Sequence, residues 1–284
     1  MTEKDAVIAF STFVPIGPAR FGLLVKYFGS AKEAWEAPYS EYLKIGLGAK
    51  LSEKFEKHRR SLSTSLKGYK EKLQSLGIRA ITLQDEEYPA RLKEISDPPF
   101  LLYVRGSKDA NLAHLSEISI SVIGTRKMTA YGKDVTERFA TRLASRGVTI
   151  VSGLALGIDG VSHEAALSVG GATIAVLGNG LDQIYPPANR RLARDIIYST
   201  KGLLVSEYPL GYPAMPHNFP QRNRIVSGIS SGVLVIEGTK RSGTLITAAS
   251  AAKQGREVYA VPGPVTSPVS QAPHLLIREG AKLV

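Results

Sequence analysis

The chain contains no cysteine. That absence excludes disulfides, thiolate metal sites and a cysteine nucleophile, and it fits a reducing compartment. Histidine is scarce as well: His58, His114, His163, His217 and His274 are scattered without the spacing of a ligand set, so neither a metal nor another cofactor is expected. No apolar run approaches the roughly 18 residues of a membrane span, and the opening MTEKDAVIAFSTFVPIG has no basic leader ahead of an apolar core. The expectation is a cytoplasmic protein without membrane insertion. Acidic charge is also in short supply, with 25 Asp and Glu against 36 Lys and Arg, a net charge of +11. Such an excess favours an anionic partner, although charge alone does not separate nucleic acid from a membrane surface or an anionic metabolite.

What is present suffices for one large α/β core and a small satellite: 284 residues, 43% of them hydrophobic. Residues 1–66 read as short helices with a doubled pattern, PIGPARFGLLVKYFGSAKEAW and KIGLGAKLSEKFEKHRR, as in a helix-hairpin-helix or SAM-like domain. A hydrophobic-Gly-x-Gly turn can present backbone N–H groups to a phosphate, but the same turn also serves simply to pack small helices. Lys57, Arg59 and Arg60 read as a solvated helix end. RRSLSTSLKGYK reads as a linker to a second domain, 67–284.

In that domain IRAITL and PFLLYVRG look like an edge extension. ISISVIG, VTIVSG, ATIAVLG, GLLVSEYP, SGVLVIEG and REVYAVPG then alternate with helical stretches, the first of which places Val135, Phe139 and Leu143 at i, i+4 and i+8. Continuous apolar strands joined by amphipathic helices imply an α/β fold, an extended Rossmann-like, doubly wound and mostly parallel sheet. Gly124-Thr125-Arg126, Ser152-Gly153, Gly178-Asn179-Gly180, Glu237-Gly238 and Pro262-Gly263 all fall at carboxyl ends of strands, the edge where such sheets bind ligands. A dinucleotide site does not fit, because GTRKMTAYG is not G-x-G-x-x-G and no acid follows the second strand. Arg126 takes the place of the cofactor cradle and reads as a phosphate clamp.

PHNFPQRNRIVSG, residues 216–228, sets Phe219 beside Arg222 and Arg224 ahead of an apolar strand. An aromatic face that stacks on a base beside guanidinium forks that grip phosphate is the chemistry of a single-strand groove. RSGTLITAASAA repeats the theme: Arg241 adds charge, Ser242 is a candidate cap, and Thr244 and Thr247 offer hydroxyls. Phosphate contacts from three or four of Arg126, Arg222, Arg224 and Arg241 would give a salt slope of about −2 to −3. No G-x-S-x-G elbow, P-loop or H-E-x-x-H occurs, and Ser152, Asp159 and His163 do not suggest a triad. Glu207 and Glu237 could act on a nucleotide glycosidic bond or could equally hold a backbone N–H or an arginine. A binding protein rather than an enzyme is expected, the alternative being a nucleotide-processing enzyme of the phosphoribohydrolase type.

VIGTRKMTAYG, VSGLALGIDGVSHEAAL, TIAVLGNGLDQIYPPANRRL, LLVSEYPLGYPAMPHNFPQRNRIVSG, VLVIEGTKRSGTLITAASAAKQGREVYAVPG and LIREGA, in that order, resemble the DprA/Smf family of DNA-processing proteins. The resemblance runs from about Leu76 to the end of the chain. It implies a non-enzymatic single-stranded DNA-binding protein of natural transformation and recombination, a homodimer that loads RecA recombinase past single-strand-binding protein. Carried onto this sequence, the pocket would be formed by Gly124, Thr125 and Arg126 with Ser152 and Gly153. Phe219, Arg222, Asn223 and Arg224 would form the other wall, and Arg241, Ser242 and Gly243 the rim. The chain departs from the family at Leu156, where an arginine is common, and at Ser270-Gln271-Ala272-Pro273-His274 in place of Ser-Arg-Gly-Cys-Asn. It is also expected to lack the winged-helix-like C-terminal domain of many members.

Overall fold

The computed structural model describes residues 1–63 and 65–284. Helices α1 (Glu3–Ser11), α2 (Pro18–Phe28), α3 (Ala31–Glu36), α4 (Tyr39–Lys44), α5 (Ala49–Ser63) and α6 (Leu66–Ser75) lead the chain. Thr2 and Asp5 cap α1 reciprocally, and Pro18 opens α2 at a position whose N–H would have no helical partner. Phe10 lies at the centre of the module, its ring 5.0 to 5.4 Å from those of Trp35, Phe21 and Phe55. Two expectations change here. The stretch read as a linker is helical up to Ser63 and again from Leu66. Arg59 is not a solvated helix end: its Nη1 donates to the carbonyls of Trp35 and Ala37 at 2.5 and 2.6 Å, and Glu56 pairs with it at 2.5 Å.

Strand β1 (Ile78–Thr82), the short helix α7 (Ala90–Lys93), strand β2 (Leu101–Gly106) and helix α8 (Leu112–Glu117) form the edge extension. Phe21 stacks on Phe100 at 4.0 Å, and the Tyr103 hydroxyl meets Ser11 at 2.5 Å and Tyr69 at 2.9 Å. The leading helices and the β1–β2 edge therefore share one hydrophobic core.

The main fold follows as β3 (Ser119–Ile123), α9 (Ala130–Ser145), β4 (Thr149–Ser152), α10 (Ile158–Ser168), β5 (Thr173–Val176), α11 (Arg190–Tyr198), β6 (Gly202–Ser206), α12 (Asn218–Ile229), β7 (Gly232–Val235), α13 (Gly243–Lys253), β8 (Glu257–Ala260), α14 (Gln271–Arg278) and β9 (Lys282–Leu283). The sheet order is β1-β2-β6-β5-β4-β3-β7-β8-β9, antiparallel at β1–β2 and β2–β6 and parallel elsewhere. Side-chain alternation along β5 assigns the faces. Ile174 and Val176 pack with the α12–α13 side, whereas Ala175 packs with α11. From β3 the chain steps outward through β4 and β5 to β6, then returns by α12 to β7 on the other side of β3, which creates a topological switch point at the carboxyl edge.

In α9 the fully buried stripe is not Val135, Phe139 and Leu143, which are half-buried, but Gly132, Thr136, Ala140 and Ala144. Small residues at i+4 spacing let α9 pack closely on α10. Residues 218–229, read as the approach to a strand, are helical, and the helix decides where their arginines point.

Candidate nucleic-acid interface

Helix α12 starts against the end of β5, where Asn218 Nδ2 donates to the Gly178 carbonyl at 2.8 Å. From that start Phe219 and Arg222, three residues apart, share one helix face. Arg222 is 5% exposed, and its Nη1 donates to the Gly153 carbonyl at 2.7 Å and to the Val176 carbonyl. These carbonyls lie at the ends of neighbouring strands β4 and β5, so the guanidinium ties the two together. Gly153 is required here, because a Cβ at this position would lie 2.5 Å from Arg222 Nη2. Asp159 accepts from the N–H groups of Gly153 and Ala155 at 3.1 and 3.4 Å. Burial draws the Arg222 pKa down to about 10 while Asp159 works against the shift, so the group stays cationic at neutral pH. Burial likewise raises the Asp159 carboxyl, against the pull of Arg222.

Arg224 points elsewhere. Its guanidinium pairs with Glu207 at 2.5 Å and Asp97 at 3.1 Å, under the α7–α12 side of the sheet. Burial pushes the Glu207 carboxyl up while Arg224 opposes it. Asn223 accepts from Arg222 Nε at 3.2 Å and so supports its neighbour.

Across from α12, a Cβ on Gly124 would lie 2.5 Å from Ile158, and one on Gly157 (φ +76°) would lie 2.4 Å from the Thr125 carbonyl. The loops after β3 and β4 are thus pressed together, and Thr125 N–H donates to the Glu237 carbonyl at 2.8 Å. Leu154 holds φ +54°, a conformation uncommon for a branched side chain. These contacts aim Arg126 outward. It is exposed, no carboxylate among the described residues pairs with it, and its guanidinium lies 5.5 Å from the centroid of the Phe219 ring. Tyr185 stands 5.6 Å from the same ring at a 36° tilt. Between them opens a crevice of about 70 Å³, lined by Arg126, Gly153, Leu156, Tyr185, Phe219 and Arg222. Two aromatic rings and one exposed guanidinium thus surround a single crevice, the residue types of a single-strand groove.

The structure thus brings together Arg126, Gly153, Phe219 and Arg222, with Arg222 as a buried tie. Ser152 is fully buried, its hydroxyl donating to the Val122 carbonyl at 2.7 Å. Ser242 caps α13 through the Thr244 N–H at 3.2 Å, and Arg241 and Gly243 stay exposed at the end of β7, outside this crevice. Glu237 holds the start of α9, receiving the Thr129 N–H at 3.0 Å and its hydroxyl at 2.5 Å. Ser152, Asp159 and His163 form no triad, since His163 Nδ1 bonds Thr173 at 2.7 Å. Tyr185 went unnominated in the sequence, although its position beside two prolines after a Gly-Asn-Gly strand end was a usable signal.

An open doubly wound sheet with a crevice at the carboxyl ends near its switch point defines a Rossmann-like α/β protein. Within that class, residues 79–284 match the family described as DNA recombination-mediator protein A, and the chain belongs to that family. It is 50% identical over 204 residues to Protein Smf of Escherichia coli (strain K12), an alignment covering 72% of this chain and 53% of that protein. To DNA processing protein DprA of Bacillus subtilis (strain 168) it is 41% identical over 236 residues, 83% of this chain and 76% of the relative. The chain thus spans about half the length of the first relative and three quarters of the second. Among solved structures, the X-ray structure of DprA from Streptococcus pneumoniae superposes with a TM-score of 0.83 at 33% identity, covering 100% of this chain and 95% of that one. The DNA processing protein A of Helicobacter pylori, described for its single-stranded DNA binding mode, gives 0.63 at 30% identity, covering 72% and 90%.

Proposed function

We propose that this protein binds single-stranded DNA at the β3–β4–α12 crevice and acts as a recombination mediator, delivering the strand to a RecA recombinase in the presence of single-strand-binding protein. The observation that carries the reading is the exposed Arg126 guanidinium, without an ion-pair partner among the described residues and lying 5.5 Å from the Phe219 ring. Arg126 is the phosphate contact in the crevice and Arg241, outside it at the end of β7, a second one along the strand's path; Phe219 and Tyr185 are the stacking surfaces, and Arg222 the buried tie that holds the crevice open. The relative from Helicobacter pylori, described for its single-stranded DNA binding, supports the substrate. Function as a homodimer in the cytoplasm, in natural transformation, belongs to the same reading.

A binding role rather than nucleotide hydrolysis is favoured by where the strand-end carboxylates are engaged: Glu207 pairs with Arg224 and Glu237 caps α9. Fluorescence anisotropy with matched single- and double-stranded oligonucleotides over a salt series tests the reading. Two phosphate contacts at roughly 0.7 each give a slope of about −1.4 for the crevice and its rim. Arg126→Ala should weaken binding and flatten the slope by about 0.7. Duplex binding equal to single-strand binding, or an Arg126→Ala protein that binds normally, would overturn it. Loading is checked separately, by RecA filament formation on DNA already coated with single-strand-binding protein.

A further inference from the structure

A second cavity, about 620 Å³, opens beside the first. It runs along α11 next to β2, and Tyr185 lines both cavities. Arg190, Arg194 and Tyr198 stand at i, i+4 and i+8 on α11 and all line it, spread over about 12 Å at 1.5 Å rise per residue. Both arginines are exposed and unpaired among the described residues, and Tyr198 is 81% exposed. Arg105 adds a third guanidinium, half-buried and anchored to the Leu181 carbonyl at 3.2 Å. Asp182, the carboxylate on this wall, is engaged by the Gly211 N–H at 2.9 and 3.0 Å.

Two further features ask for a ligand. The first turn of α11 carries Arg190 and Arg191 and no acid, so cations sit at the positive end of the helix dipole, an arrangement an anion relieves. Asn179, 1% exposed, also lines the cavity. Its Nδ2 donates to Gly180 and Gln183 while its Oδ1 has no partner among the described residues. A buried acceptor without a donor is therefore left in the wall of this cavity.

We propose that this arginine–tyrosine cavity along α11 is a second subsite for single-stranded DNA, continuous over Tyr185 with the Arg126–Phe219 crevice, so that one strand occupies both. The proposal rests on the single-strand reading of the first crevice. It adds Arg190 and Arg194 to Arg126 and Arg241, and it moves the wild-type salt slope from about −1.4 to about −2.8.

The test compares the wild type, Arg190→Ala/Arg194→Ala and the charge-matched control Arg138→Ala/Arg142→Ala, whose arginines are exposed on α9 toward the opposite edge of the sheet. Oligothymidylates of about 4 and about 20 nucleotides bracket the site sizes of single-strand grooves. The α11 double variant should melt like wild type and keep its affinity for the short probe. On the long probe its slope should be shallower by about 1.4, so its deficit should be about sevenfold larger at 50 than at 200 mM salt. The control should match wild type. An unchanged long-probe slope, an equal loss on both lengths, or an equal loss on a matched duplex would overturn the second subsite while leaving the first crevice standing. A wild type that does not bind single strands at all would overturn both.

Discussion

Arg126 and Arg222 carry the same guanidinium in opposite surroundings, one exposed over an aromatic ring and the other 5% exposed beneath a glycine. Arg126→Ala and Phe219→Ala should leave the thermal midpoint close to wild type. Losing the ring should cost about 1 to 3 kcal/mol of single-strand binding, read by anisotropy. Arg222→Ala should instead lower stability by about 3 to 5 kcal/mol, because it strands two strand-end carbonyls and the buried Asp159, and urea unfolding reads that loss. A folded, stable Arg222→Ala protein that merely lost DNA affinity would reverse this division of roles. His163 is a third residue with a measurable signature. Thr173 donates its hydroxyl to Ile150, so His163 carries its proton on Nδ1 and leaves Nε2 bare in the core. Burial pulls its pKa down to about 3, against about 6.5 in the unfolded chain. The unfolded state therefore binds more protons between these values. The His163 contribution is full above about pH 6.5 and is lost as pH falls toward about 3, by at most about 1.4 kcal/mol per pH unit. Asp159 and Glu207, raised by burial, act in the opposite sense, so the comparison that isolates the effect is thermal melting against pH for wild type and His163→Leu. The variant should show a flatter acid limb.

At the scale of elements, the loops at the carboxyl edge are held by glycines that no other residue can replace without movement. Gly153→Ala would place a methyl 2.5 to 2.7 Å from the Arg222 guanidinium and push it off the carbonyls of Gly153 and Val176. The cost should be about 1 to 3 kcal/mol for each buried acceptor left unpaired, seen as a lower urea midpoint. The start of α9 depends in a similar way on Glu237, which takes both the N–H and the hydroxyl of Thr129 while Thr129 caps Gly132. Glu237→Ala should cost about 1 to 3 kcal/mol and loosen the β3–α9 turn that aims Arg126. If Glu237 were instead a catalytic carboxylate, its removal would abolish release of free base from nucleotides, a reaction not expected of the wild type.

For the whole molecule, the leading helices and the β1–β2 edge form one core through the Phe21–Phe100 stack and the Ser11–Tyr103–Tyr69 hydroxyl chain. Trp35, the sole tryptophan and 4% exposed, reports on those helices, whereas far-UV circular dichroism reports on the whole chain. Denaturation followed by the two signals should give coincident transitions, since a shared core unfolds cooperatively. An early fluorescence transition would mean that the helices unfold alone. Phe21→Ala should destabilise both signals together by about 3 to 5 kcal/mol.

The strand sequence from ISISVIG to REVYAVPG, the glycines at the strand ends and the parallel Rossmann-like sheet were legible in the sequence, because apolar period, length and turn residues are local properties. The aromatic-basic character of residues 216–228 was equally legible. Which arginine faces solvent was not: Phe219 and Arg222 share one face of α12 while Arg224 turns to Glu207 and Asp97, residues far away in the chain. Tyr185 and the arginines of α11 escaped for the same reason, since Tyr185 meets the crevice, and Arg190 and Arg194 the cavity beside it, only where distant segments come together. By itself the sequence determined the element types, the cationic balance and the sheet edge where the glycine-rich strand ends gather. The tertiary structure alone decided which charges are paired and buried and which stay exposed without an ion-pair partner among the described residues, because pairing depends on distances across the fold that no local pattern encodes.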